Sequence, residues 1–266
     1  MESLIIGCLI FAALLLAWML FEAHSTRVIN GNCEIKDLPE AFSGKKIFFI
    51  SDIHRRKISR ALDHALKQAD WIVIGGDLLE RGVPRERIEE NLRYLKRYGP
   101  LFFVYGNNDY DMPKNDLLKL LEQEDAEVLD NSSVKIQEGD SELFFAGIDD
   151  CAAGTPDSRK ALKEAEGCTV LIVHNPDYAY QLKEEQISGL SLILSGHTHG
   201  GQIRLGPFGI RQKGGWYSLK GVPLLISNGY GATHIPLRLC APAQTHLITL
   251  TRKVYTAKDI RYTHFK

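Results

Sequence analysis

Seven side chains able to bind a divalent cation recur at one kind of place, a residue or so past a short apolar run. "SDIH" supplies Asp52 and His54, "GGDLLE" supplies Asp77, and "GNND" supplies Asn107. "VHNP" adds His174, and "SGHTHGG" adds His197 and His199. Each fragment alone is weak, because a Gly-Asp pair is usually a turn and an isolated histidine usually just ends a strand. Together they imply a metal centre of carboxylate, amide and imidazole donors. Seven donors exceed what one ion needs, whereas two ions sharing a carboxylate would use them all. That donor set, without thiolate, suits manganese, iron or zinc better than calcium or copper(I).

The runs that carry these donors are "KIFFI" from Lys46, "WIVIGG" from Trp71, "LFFVYG" from Leu101, "TVLIVH" from Thr169 and "LSLILSGH" from Leu190. Near-continuous apolar strands of this kind belong inside a sheet covered on both faces. Helix-compatible stretches fall around 57–68, 84–97, 113–123 and 157–163, with Pro84 and Pro113 suited to first turns. Short hairpin-like strands dominate between residues 127 and 147 and again from Gln202 onward. The pattern predicts one α/β domain of two packed sheets flanked by helices. The donors would then lie at five strand ends of one sheet, the edge where such sheets build sites.

In order, Asp52-Ile53-His54, Gly76-Asp77, Gly106-Asn107-Asn108-Asp109, His174 and Gly196-His197-Thr198-His199 resemble the five motifs of the calcineurin-like metallophosphoesterases. "HNPD", "GHTHGGQIRL" and "LLISNGYGATHIPLRL" look like its membrane-associated bacterial, YkuE-like branch. The resemblance spans residues 46–250 and implies a four-layer α/β sandwich with two divalent ions. It implies that Asp52, His54 and His199 hold the first ion, that Asp77 bridges, and that Asn107, His174 and His197 hold the second. The reaction it implies is attack of metal-activated water on a phosphate ester or anhydride.

One position departs from the family pattern. Where the family carries a histidine near the leaving group, this chain has Asn108. An amide can donate a hydrogen bond but cannot give up a proton. General acid help is typically worth about 10²- to 10⁴-fold, so the loss is partial and favours substrates whose leaving group departs unprotonated. The expectation is a phosphohydrolase for activated phosphodiesters or phosphoanhydrides, the alternative a weakened metal-binding scaffold or interaction protein. His234 is the first candidate to replace the missing histidine and Tyr110 the second. Arg55 and Arg56, directly after the first motif, are candidates to gather the substrate phosphate. Asp109 is expected to orient backbone or Asn108.

Bulk composition adds limits. With 32 basic and 33 acidic residues, no polyanionic partner is indicated and nucleic acid is not expected. The five cysteines are scattered without a CxxC pair, so neither a zinc knuckle nor a disulfide framework is indicated. Residues 4–21, "LIIGCLIFAALLLAWMLF", carry no charge and are about the minimum length for crossing a bilayer. No basic residue precedes them, which favours an uncleaved anchor over a signal peptide. Arg27 and Lys36 follow the segment and weigh for a cytoplasmic soluble part. The chain therefore divides into an anchor (1–25), a connector (26–44) and a phosphoesterase domain (45–266), with a phosphorylated small molecule or a lipid-linked phosphate as substrate.

Overall fold

The computed structural model describes residues 1–253. Helix α1 (Glu2–Ala23) leads into β1 (Arg27–Ile35), β2 (Lys46–Ile50), α2 (Asp63–Leu66), β3 (Trp71–Gly75), α3 (Arg85–Lys96), β4 (Leu101–Val104), α4 (Lys114–Gln123) and β5 (Ala126–Val128). There follow β6 (Ser132–Glu138), β7 (Ser141–Ile148), α5 (Ser158–Ala161), β8 (Thr169–Val173), α6 (Pro176–Ala179), α7 (Glu184–Ser188), β9 (Leu192–Ser195), β10 (Gly215–Leu219), β11 (Val222–Ile226) and β12 (Gln244–Arg252). They form two six-stranded sheets, ordered β1-β12-β2-β3-β4-β5 and β10-β11-β9-β8-β7-β6. Both are mixed. Strands β2 to β5 run parallel with β12 antiparallel to β2, and β6 and β10 each pair antiparallel at the edges of the second sheet.

Alternation along the strands decides the layers. In β2, Ile47 and Phe49 face the space between the sheets, where they join Val73, Phe102, Phe145, Ile172 and Leu194. Phe48 and Ile50 turn the other way, into a cluster with Leu92 and Leu95 of α3 and Leu117 and Leu121 of α4. A third cluster ties Leu171, Val173 and Ile193 to Ala161, Ala179 and Ile187 on α5, α6 and α7. With both faces covered, the central strands must be apolar at every position. The result is the expected four-layer α/β sandwich.

Two expectations need amending. The segment 26–44 is not merely a connector, since β1 runs parallel to β12 from Arg27 opposite Gln244 to Ile35 opposite Arg252. Its sequence "RVINGNCEI" is polar because it is a half-exposed edge strand, so no apolar run announces it. The helix expected over 57–68 shrinks to α2, because the buried Asn91 side chain accepts from Ile58 N–H and donates to the Arg56 carbonyl, holding those backbone groups outside a helix. The end of the domain, 254–266, lies outside the described residues.

Helix α1 has 22 residues, about 33 Å at about 1.5 Å per residue. Only Glu22 and Ala23 are buried, so it is not a core helix. By length and composition it can cross a membrane.

Candidate metal centre

The five donor-bearing strands do not belong to one sheet. Strands β2, β3 and β4 lie in the first, β8 and β9 in the second. The two parallel sets end at a shared edge, and the seven donors meet there across the gap between the sheets. Asp52, His54, Asp77, His174 and His199 are buried, while Asn107 and His197 are half-buried.

The backbone is bent to bring them there. Asp52, His54, Asp77, His197 and His199 all have positive φ, at 55°, 53°, 54°, 67° and 49°. Such conformations are uncommon outside glycine and persist at functional sites only when the surrounding structure enforces them. Gly76 shows how close the packing is: it sits at φ 86°, and a Cβ there would lie 2.5 Å from His174 Nδ1.

His54 Nε2 lies 3.1 Å from His199 Nε2, and His199 Nε2 lies 3.3 Å from Asp52 Oδ1. Asp77 Oδ2 stands between two imidazoles, 3.8 Å from His54 Nε2 and 3.3 Å from His174 Nε2. His197 Nδ1 lies 2.9 Å from Asn107 Oδ1. Asp52, His54 and His199 form one group able to hold an ion, and Asp52, Asp77 and His174 another. The expected division has Asp77, not Asp52, shared. Its Oδ2, within reach of imidazoles from both halves, suits it to that place.

The electrostatics fit a cation. Burial pushes the Asp52 carboxyl up, but His199, His174 and His54 outweigh it and hold the group below its usual range. Asp77 is likewise lowered, burial being outweighed by His174 and His54. His174 donates from Nδ1 to the Gly75 carbonyl, 2.8 Å away. Its buried Nε2 has no hydrogen-bond partner. Burial lowers this imidazole, yet Asp77 and Asp52 push it up to about 10, since their negative charges favour positive charge at this position. His199, brought down to about 3 by burial and the Arg238 charge against the pull of Asp52, stays neutral as a metal ligand must.

Outer groups hold the donors in place. Glu80 Oε2 lies 3.3 Å from His54 Nδ1, near enough to pair but not aligned for a hydrogen bond. Asp109 accepts from the backbone N–H groups of Gly106, Asp77 and Leu79. Burial and the Asp77 charge raise its carboxyl to about 8. Arg238, fully buried, donates to the carbonyls of His199, Ala241, Asn228 and Gly231, and its Nη2 lies 2.9 Å from His199 Nδ1.

Above the buried ligands opens a pocket of about 650 Å³, lined by Asp77, Asn107, Asn108, His197, His199, Gln202, Arg211 and His234 among others. Asn108 and His234, both expected near the leaving group, face it. Tyr110 does not serve as the alternative: its hydroxyl donates to Asp149 Oδ1 at 2.5 Å, and burial and that carboxylate raise its pKa. Arg55 and Arg56 are not among the pocket residues. Arg55 pairs with Glu80, and Arg56 donates to the carbonyls of Ala23, His24, Ser25 and Tyr230 while stacking 3.9 Å from the Tyr230 ring. The arginine at the pocket is Arg211. Sequence reasoning missed it because, although it lies only six residues past "GHTHGGQIRL", nothing local marks the turn that brings it back to the pocket. Glu80 and Arg238 were missed although both lie inside quoted fragments, "GGDLLE" and "HIPLRL".

Fold and site together define a metal-dependent phosphoesterase. The family model for calcineurin-like phosphoesterases matches residues 45–201, more than half of the chain, and the chain belongs to that family. It is 44% identical over 209 residues to the uncharacterized protein YpbG of Bacillus subtilis, covering 77% of this chain and 80% of that one. It is 26% identical over 251 residues to the metallophosphoesterase YkuE of the same organism, covering 86% and 87%. A Danio rerio transmembrane protein with a metallophosphoesterase domain is 30% identical over 220 residues, covering 75% of this chain but only 50% of that protein. Among solved structures, the sulfate thiohydrolase SoxB of Thermus thermophilus aligns with a TM-score of 0.52 at 14% identity, over 85% of this chain and 60% of that one. That likeness is one of fold.

Proposed function

We propose that this protein is a membrane-anchored, dinuclear metal-dependent phosphohydrolase acting on phosphodiesters or phosphoanhydrides with good leaving groups. The observation that carries the reading is the convergence of seven donors beneath one open pocket, with the buried His174 Nε2 facing the Asp77 carboxylate but making no hydrogen bond. Asp52, His54 and His199 would hold one divalent ion and Asn107, His174 and His197 the other, with Asp77 between them. When bound, the ions lower the pKa of a water and neutralise charge on phosphoryl oxygens. Imidazole and oxygen donors suit manganese, iron or zinc.

The chain's own groups do the rest. Asn108 offers a neutral amide N–H and no proton, so a phosphate or aryloxide leaves more readily than an alkoxide. Arg211 presents a fixed positive charge to the substrate phosphate, and His234 lines the pocket as an imidazole outside the seven donors, able to carry a proton. Helix α1, exposed along its apolar length, supports a single membrane span. Arg27 and Lys36 after it favour a cytoplasmic domain. The substrate is then a phosphorylated small molecule or a lipid-linked phosphate.

The test is the full chain loaded with Mn²⁺ and assayed on an activated diester, a pyrophosphate and an alkyl monoester beside Asp77→Asn. Turnover of the first two that disappears in Asp77→Asn is expected. Equal or better turnover of the alkyl ester overturns the leaving-group assignment, and no Asp77-dependent turnover on any substrate supports a metal-binding scaffold instead.

A further inference from the structure

The pocket opens beside the end of α1. Arg56 clasps the carbonyls of Ala23, His24 and Ser25. The backbone N–H groups of Arg238 and Ala243 donate to the Met19 and Glu22 carbonyls, each at 3.1 Å. His234 lines both the metal pocket and a small cavity walled by Ala23 and His24. The last turn of the helix is thus fixed to the loop that forms one lip of the pocket. If α1 crosses the bilayer, that lip lies at the level of the lipid headgroups.

The other lip is apolar where a water-facing loop would be polar. Leu205, Phe208 and Ile210 are 74%, 78% and 88% exposed, and Ile203 is 46% exposed. Ile235, beside His234 on the first lip, is 65% exposed. An exposed apolar group of this kind around one opening marks an interaction surface. The loop is held in shape: buried Arg204 donates to the carbonyls of Gly200, Pro207 and Arg211. Leu205 and Phe208 exchange backbone hydrogen bonds across a tight turn in which Gly206 takes φ 62°. Side chains displayed on an ordered turn lose less entropy when buried. No acidic residue occurs in 203–213, and Arg211 and Lys213 stand exposed at its end. Apolar side chains fringed by positive charge match an anionic bilayer surface.

We propose that the 203–210 turn together with Ile235 is a second membrane contact, seated in the bilayer interface beside α1, which turns the pocket toward phosphate or pyrophosphate groups carried on lipids. The proposal rests on the reading of α1 as a membrane span. It narrows the substrate to the lipid-linked class. Ile203 and Ile210 also line the pocket, so the apolar part of such a substrate meets an apolar wall on its way in.

The test places the full chain in phosphatidylcholine and phosphatidylglycerol vesicles whose acyl chains are brominated near the headgroups, so that nearby tryptophans are quenched. Trp18 in α1, isolated by difference against Trp18→Phe, reports the anchor. Phe208→Trp is expected to add a quenched component of its own. A quenched Trp18 with an unquenched tryptophan at the turn overturns the second contact and leaves the anchor standing, whereas an unquenched Trp18 overturns both. This readout does not depend on catalysis. In a second arm, Leu205→Ser with Phe208→Ser is expected to lower turnover of a pyrophosphate-linked lipid in vesicles at least about tenfold, with a water-soluble nitrophenyl diester unchanged. Equal loss on both substrates, or loss on neither, overturns the lipid assignment.

Discussion

Asn108 is bound twice to Asp77, through its side-chain Nδ2 to Oδ2 at 2.7 Å and its backbone N–H to Oδ1 at 2.8 Å. Asn108 therefore orients the carboxylate best placed to lie between two ions. Replacing it by histidine places a titratable group at the pocket while keeping the backbone bond. Asn108→His should raise kcat/KM for an alkyl phosphate ester by about 10²-fold or more and leave a nitrophenyl ester nearly unchanged. Steady-state kinetics on the two esters decide it. A parallel rise on both would mean that Asn108 limits something other than leaving-group protonation.

Glu80 stands behind His54 and is itself held by Arg55. Outer carboxylates of this kind fix the ring orientation and basicity of a metal-bound histidine. Glu80→Gln should weaken Mn²⁺ affinity by about 10- to 100-fold, as read by calorimetric titration. Arg55→Ala should shift affinity in the same direction and leave KM alone. A raised KM with unchanged metal affinity would instead return Arg55 to the substrate role read from its position in the sequence.

Arg238 satisfies four buried carbonyls from three separate stretches of the chain. Leaving buried polar groups without partners costs about 1–3 kcal/mol each where no water reaches them. Arg238→Met should therefore destabilise the fold by at least about 3 kcal/mol and lower metal affinity, because His199 loses the group packed against its ring. Urea unfolding measures the first effect and metal titration the second. Unchanged stability would show that the neighbouring loop re-forms those bonds by itself.

His246 on β12 is buried, and burial brings its imidazole down to about 3. An unfolded histidine titrates near about 6.5. The folded state thus disfavours the proton: the contribution is complete above that value, declines as the pH falls below it, and is exhausted near the folded value. Between the two, unfolding free energy should fall by about 1.4 kcal/mol per pH unit on account of this one group. His246→Asn should flatten the slope between pH 6 and 4 by roughly one proton, as measured by urea unfolding across that range. An unaltered slope would mean that His246 takes up its proton in the folded state.

Much of the fold was readable because strands covered on both faces must be apolar at every position. "KIFFI", "WIVIG" and "TVLIV" could hardly be anything else, and the donors follow within a few residues of their ends. Edge strand β1 escaped notice for the opposite reason. It is half-exposed and polar, and its place is set by hydrogen bonds to β12, more than two hundred residues away in the chain.

By itself, then, the sequence determined the donor inventory, the apolar strands that carry it, the amide at position 108 and an apolar helix at the start. Those are local properties, written in residue type and spacing. Only the tertiary structure decided that the donors come from two sheets, that Arg55 and Arg56 are engaged outside the pocket, and that Arg211 lines it. It alone brought Glu80 and Arg238 behind the donors and an exposed apolar turn to the pocket mouth beside α1. These depend on which distant segments share an edge, and hydrophobic periodicity carries no record of that.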